Sequence, residues 1–170
     1  LYSQARAEYR LAETLFKRAL AIDEGKLPAG HAHLAPRLAQ LASLYREQGR
    51  LVEAEPLYRR AHAIYETAWP PDDPDVAASL THLGSLFQEQ GRLAEAEPLL
   101  RRALAIDEKA LSEGDPDRAP TLLNLGGLYR EQGRLAEAEA LYKRALAIRE
   151  KALPEGHPDI ANSLGHMASL

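Results

Sequence analysis

Apolar residues in the first stretch of the chain fall at Tyr9, Ala12, Leu15, Phe16, Ala19 and Ile22, in steps of three, three, one, three and three. That spacing keeps one side of a helix apolar and predicts an amphipathic helix over residues 1 to about 26. After the connector LPAGHAH (Leu27 to His33), a second helical stripe runs through Leu34, Leu38, Leu41, Leu44 and Tyr45. Gln48-Gly49 closes it, since glycine just past a helix end takes left-handed dihedrals without steric cost. The next stripe opens within two or three residues, so the two helices form a tight antiparallel hairpin. The same alternation predicts helices from about Asp75 to Gln90, Leu93 to Leu111, about Asp117 to Gln132, Leu135 to Leu153, and from about Asp159 onward.

These helices repeat as a unit. GRLAEAEPLLRRALAIDEKAL at Gly91 to Leu111 recurs as GRLAEAEALYKRALAIREKAL at Gly133 to Leu153, an offset of 42 residues. The same interval reaches back to GRLVEAEPLYRRAHAIYETAW at Gly49 to Trp69 and to AEYRLAETLFKRALAIDEGKL at Ala7 to Leu27. A fixed period of this length marks a supersecondary unit stacked on copies of itself, each burying a face that it could not bury alone. With the first helix of each pair termed A and the second B, residues 1–170 read as a single array. It has a lone B helix at 1–26, complete pairs at 31–69, 73–111 and 115–153, and a lone A helix at 157–170. The absence of a starting methionine and the stop within a helix predict a segment of a longer array. Leu164, Met167, Ala168 and Leu170 then lack a covering B helix and offer a route to end-to-end self-association.

The connectors carry their own chemistry. Asp73-Pro74-Asp75, Asp115-Pro116-Asp117 and His157-Pro158-Asp159 each place a capping side chain before a proline at the first helical position, with an acid in the first turn. Leu27, Trp69, Leu111 and Leu153 share one repeat position, which makes the only tryptophan an apolar plug rather than a ligand platform. Composition is that of a soluble globular chain, at 45% hydrophobic and 27% charged residues. The absence of cysteine removes disulfides and thiol catalysis. A net charge of −4 excludes the clustered basic surplus that nucleic acid requires. Glu55 with Arg59, Glu97 with Arg101, and Glu139 with Lys143 sit four apart, as on a solvated helix face. No apolar run is long enough for a membrane span and no signal-peptide pattern opens the chain, so a cytoplasmic location is expected.

Catalysis finds no support. His31 and His33 form an HxH, but His31 and His157 share a repeat position with Asp73 and Asp115, which reads as a cap and not as a metal site. No nucleophile elbow, phosphate loop or HExxH occurs, and no cofactor is expected.

Leu125, Gly126, Tyr129, Gly133, Ala138, Tyr142 and Ala145, together with Leu41, Ala42, Tyr45, Gly49, Ala54, Tyr58 and Ala61, resemble the tetratricopeptide repeat signature. The 42-residue period, the AEPLYRRAxAI run and the DPD connector are similar to the kinesin light chain variety. The resemblance implies an all-α fold of antiparallel helix pairs stacked into a right-handed superhelix, an α-solenoid with A helices lining its concave groove. It also implies a protein-binding role in which polar residues of helix A hold an extended peptide or a partner helix. In the family pattern TLNNLAxLY two asparagines grip the peptide; TLLNLGGLY here keeps the second as Asn124 and replaces the first by Leu123. Gln40, His82 and His166 share the Asn124 position, and all can hydrogen-bond. One turn along lie Ser43, Ser85, Gly127 and Ser169, then Arg46, Gln88 and Arg130, with Asn162 near the start of the last A helix. The basic clamp of the chaperone-binding members has no counterpart, since its slots hold Pro36, Ala39, Gln40 and Ser43, then Ala78, Thr81, His82 and Ser85. An internal segment therefore suits the groove better than a free C-terminus. The alternatives are that the row is solvated surface, or that the array is an architectural scaffold acting through its ends and convex face.

Overall fold

The computed structural model describes the backbone of residues 2–170 and the side chains of residues 8–170, and residue 1 of the expected first helix lies outside them. Every regular element among the described residues is helical. The helices group into two compact units, Leu1–Pro71 and Asp72–Leu170.

The first unit contains α1 (Tyr2–Glu24), α2 (Leu34–Glu47) and α3 (Leu51–Ala68). Helices α2 and α3 pair through Leu38, Leu41, Ala42 and Tyr45 on one side and Ala54, Tyr58, Ala61 and Ile64 on the other, all buried. Between them Gly49 stands at φ +71°. Its N–H donates to the Arg46 carbonyl at 2.9 Å, and the Arg50 N–H donates to the Tyr45 carbonyl at 2.9 Å. These two bonds form a Schellman motif, which satisfies the carbonyls left over at the end of a helix.

The residue after the glycine does more than close the turn. The Arg50 guanidinium lies 4.1 Å from the centre of the Tyr45 ring. It donates to Glu53 at 2.6 Å and reaches back to Glu13 on α1 at 2.7 Å. Arg50 and Lys17 hold the Glu13 carboxyl down to about 2, against an ordinary value of 4.5. Because folding lowers this pKa, the link stabilises the fold above pH 4.5 and its contribution is lost as the pH falls toward 2. Glu13→Gln is accordingly expected to lower the melting temperature at neutral pH, and the gap from the wild type should narrow between pH 4.5 and 2 in thermal melts. A gap independent of pH would show that Glu13 acts by packing alone.

The second unit contains α4 (Pro74–Glu89), α5 (Leu93–Ala110), a 3-10 turn (Pro116–Arg118), α6 (Ala119–Glu131), α7 (Leu135–Ala152) and α8 (Pro158–Ala168). Its two hairpins use the same turn. Gly91 and Gly133 donate to Gln88 and Arg130, while Arg92 and Arg134 donate to Phe87 and Tyr129. The guanidinium groups again lie over the ring whose carbonyl their own N–H binds, at 4.1 Å for Arg92 and 3.7 Å for Arg134. Arg134 also reaches back to Glu97 on α5 at 3.0 Å.

The expected caps are present. The side chains of Asp73, Asp115 and His157 accept from the backbone N–H two residues on, at 2.9, 3.0 and 3.2 Å. His31 Nδ1 accepts from the His33 N–H in the same way, at 3.3 Å. Asp73, Asp115 and His157 thus cap the helical turn that follows them, whereas α2 has His33 at its N-cap with no side-chain bond, and His31 closes only the turn ahead of it. The helix expected from Asp117 begins instead as a 3-10 turn, because Pro120 has no N–H with which to bond the Pro116 carbonyl. The surface pairs Glu55–Arg59, Glu97–Arg101 and Glu139–Lys143 form at 2.8, 3.7 and 2.5 Å.

Candidate binding surface

In the second unit the A helices stand side by side, α4 against α6 and α6 against α8. Helices α5 and α7 cover the other side of α4 and α6, which buries Leu80, Leu83, Leu122, Leu125 and Leu128. Helix A can press closely on helix B where it lacks a side chain. A Cβ on Gly126 would stand 2.5 Å from the Tyr142 ring.

In this unit the residues expected to read a ligand divide into three groups. His82, Asn124 and His166 share a repeat position on α4, α6 and α8, and each is half-buried. The Asn124 side chain makes no hydrogen bond to another described residue, so its carboxamide keeps its full donor and acceptor capacity. His166 lies 5.3 Å from the Tyr142 ring, and burial, helped by the charges of Arg130 and Arg149, pushes its imidazole below the usual value. A neutral imidazole offers one donor and one acceptor.

A second group joins helix to helix. Gln88 on α4 donates to Glu131 of α6 at 2.6 Å, and Arg130 of α6 donates to Ser169, just past α8, at 2.5 Å. Asn162 is exposed, but its carbonyl oxygen accepts from Arg149 at 3.1 Å. The third group is Ser85, which at 9% exposure contributes little surface. In the first unit Gln40 is exposed, and Ser43 and Arg46 are half-buried, all on α2.

Sequence spacing did not point to the buried polar contacts at the ends of the B helices. Arg149, 7% exposed, donates to Ser163 at 3.0 Å and to the Asp159 carbonyl at 2.8 Å. Asp107, one repeat earlier, is buried beside Thr121. In the first unit the corresponding Asp23 accepts from Arg37 at 3.2 Å. Each pair is 14 residues apart, from the end of one B helix to the next A helix. The signal was present as a recurrent interval, although Asp23–Arg37, Asp107–Thr121 and Arg149–Ser163 fill it with a different pair each time.

Beside His82 a cleft of roughly 350 Å³ opens between α4, α5 and α6, with Thr81, Asp107 and Thr121 among its walls. Among the described residues no three metal-ligating side chains converge, and no helix is long and apolar enough to cross a membrane.

Tetratricopeptide repeat models match residues 34–109 and 119–159. Among solved structures, a protein of Podosopora anserina described by its nearly identical TPR-like repeats of kinesin light chain type is 28% identical, with a TM-score of 0.78 over 98% of this chain and 79% of that one. A single-substitution variant of the same protein gives 27% and 0.79, over 98% and 78%. BtubC (BKLC) from P. vanneervenii is 26% identical, with a TM-score of 0.81 over 98% of this chain and 66% of that one. No curated protein matches the chain in sequence.

Proposed function

The chain belongs to the tetratricopeptide repeat family, with repeats of the kinesin light chain kind, and from that premise we propose that it is a protein-interaction module whose A helices hold an extended peptide or a partner helix. The observation that carries this reading is the Asn124 carboxamide, on a half-buried residue among packed helices yet with no hydrogen bond to another described residue. His82 and His166, at the same repeat position on the flanking A helices, supply further donors and acceptors in line with it. The bonds Gln88–Glu131 and Arg130–Ser169 support the reading because they fix the spacing of the A helices, and a rigid surface loses less entropy on binding. Nothing in the reading calls for a cofactor or a catalytic step.

Random peptides displayed on phage and selected against the whole chain test it. Selected peptides are expected to bind His82→Ala/Asn124→Ala on the order of tenfold or more weakly, the loss of about one to two hydrogen bonds, with circular dichroism and melting unchanged. Equal binding by the double variant overturns the reading.

A second reading, self-association, is favoured by the apolar stripe on α1, where Leu11, Leu15 and Ile22 are 62, 55 and 48% exposed. It predicts a sedimentation coefficient that rises with protein concentration and ceases to do so in Leu15→Ser. A concentration-independent wild type eliminates it.

A further inference from the structure

The 14-residue contact is filled differently from repeat to repeat, and that difference exposes a vacancy of charge. In the first unit Asp23 accepts from the Arg37 guanidinium at 3.2 Å, so the carboxylate at the end of α1 receives its cation from the chain itself. Asp107 is the same residue type in the same repeat position on α5, and Thr121 stands where Arg37 stood. Asp107 is only 4% exposed and forms no ion pair with any described residue. The Thr121 hydroxyl supports its charged form by hydrogen bonding, but burial outweighs that and pushes the carboxyl up from its ordinary value. Arg118, itself buried, adds a favourable field; one of its nitrogens donates to the Ser112 carbonyl at 3.2 Å and its Nε has no hydrogen-bond partner, but it forms no ion pair with Asp107 and does not line the cleft. A buried carboxylate without a cation is costly, and a cation brought by a ligand removes that cost.

Space for such a ligand lies beside it. The cleft of roughly 350 Å³ is lined by Asp107, Asp75 and Asp117, by the Thr81 and Thr121 hydroxyls, by His82, and by the apolar Pro74, Ala78, Leu111 and Pro120. No lysine or arginine is among these residues. Asp75 and Asp117 are exposed, whereas Asp107, Thr81 and Thr121 are buried, so negative charge stands both at the mouth and at the base. The Thr81 hydroxyl donates to the Ala77 carbonyl at 3.0 Å and meets Thr121 at 3.3 Å, which fixes the base of the cleft. Apolar walls around a charged base suit a side chain with a long aliphatic stem and a cationic head.

We propose that the cleft between α4, α5 and α6 takes a lysine or arginine side chain of the bound peptide, with its charged head on Asp107 and its stem between Pro74, Ala78, Leu111 and Pro120. This deepens the peptide-binding reading and rests on it, since His82 belongs to both the cleft and the reading row. The peptide class is therefore one with a basic residue at the position facing α4 and α6.

The test is a nuclear magnetic resonance titration of the isotope-labelled whole chain with N-acetyl-arginine amide, N-acetyl-lysine amide and, as a neutral control, N-acetyl-norleucine amide at low salt. Saturable shifts are expected at the amides of Thr81, His82, Asp107 and Thr121 with the two cationic probes and not with the control. Asp107→Asn should weaken both by on the order of tenfold or more. Thr121→Arg should abolish binding while the fold keeps its melting temperature, because it supplies here the guanidinium that Arg37 supplies in the first unit. No saturable shift, an equal response to norleucine, or unchanged affinity in a folded Asp107→Asn overturns the proposal; should Asp107→Asn not fold, Thr121→Arg and the neutral control decide. Peptides selected by display without basic residues, together with silent cationic probes, overturn this inference and leave the peptide reading intact. Cationic probes that bind the cleft while display yields no peptide overturn the peptide reading alone.

Discussion

Tyr142→Ala is expected to destabilise the chain by about 3–5 kcal/mol, read as a lower urea midpoint and melting temperature. The ring has no exposed surface and lies against the backbone of α6 at Gly126. Truncation removes the apolar transfer energy of an aromatic ring and leaves a cavity that two helices, fixed by a Schellman turn at one end, cannot collapse to fill. Tyr142→Phe separates ring from hydroxyl. The hydroxyl is buried without a hydrogen-bond partner, so its removal relieves an unsatisfied group, and phenylalanine is expected to match or exceed the wild type. A loss above about 1 kcal/mol for Tyr142→Phe would mean that the hydroxyl is engaged.

Filling the same gap from the other side should cost nearly as much. Gly126→Val is expected to destabilise by about 3 kcal/mol, because its Cβ would meet the rigid ring atoms of Tyr142 at 2.5 and 2.7 Å. Gly126→Ala brings the same Cβ against the ring, so it too is expected to destabilise, by about 1 kcal/mol or more, but less than valine because it adds no methyl groups beyond Cβ and recovers the helix propensity that glycine lacks. The first unit supports the distinction: Ala42 and Tyr58 occupy the corresponding positions and both are buried there. The urea midpoints of the two variants decide it. If alanine costs as much as valine, the α6–α7 spacing does not relax, and the closer approach is specific to this repeat.

The hairpins, their turns and their caps were legible because each depends on residues close in sequence. Glycine after glutamine marks a Schellman end, and an acid before Pro-Asp marks a helix start. The i,i+4 pairs follow from helical pitch alone. Leu38 and Leu41 were placed on one apolar stripe by spacing, and both are buried. The reach of Arg50 to Glu13 and of Arg134 to Glu97 was not legible, since both span 37 residues and depend on how one hairpin lies on the previous helix. Ser85 and Asn162 mark the limit for the candidate site. A repeat position tells which helix carries a residue and roughly which side it faces, but not that Ser85 is sheltered or that Arg149 engages Asn162. Arg149 itself was hidden because its position holds aspartate, tyrosine and aspartate in the earlier repeats.

The arginine that follows each turn glycine also bears on how such a chain can change in length. Arg134 is tied to a ring five residues before it, a glutamate three residues after it and a glutamate 37 residues before it. All three intervals are internal to the period of 42, so inserting or deleting one whole copy carries every partner along with it. An insertion of any other size within the helices between Glu97 and Arg134 shifts one partner off the other's register, leaving the guanidinium with Glu137 alone as its counter-charge. The link therefore tolerates a change by one whole copy better than a change in the length of its helices.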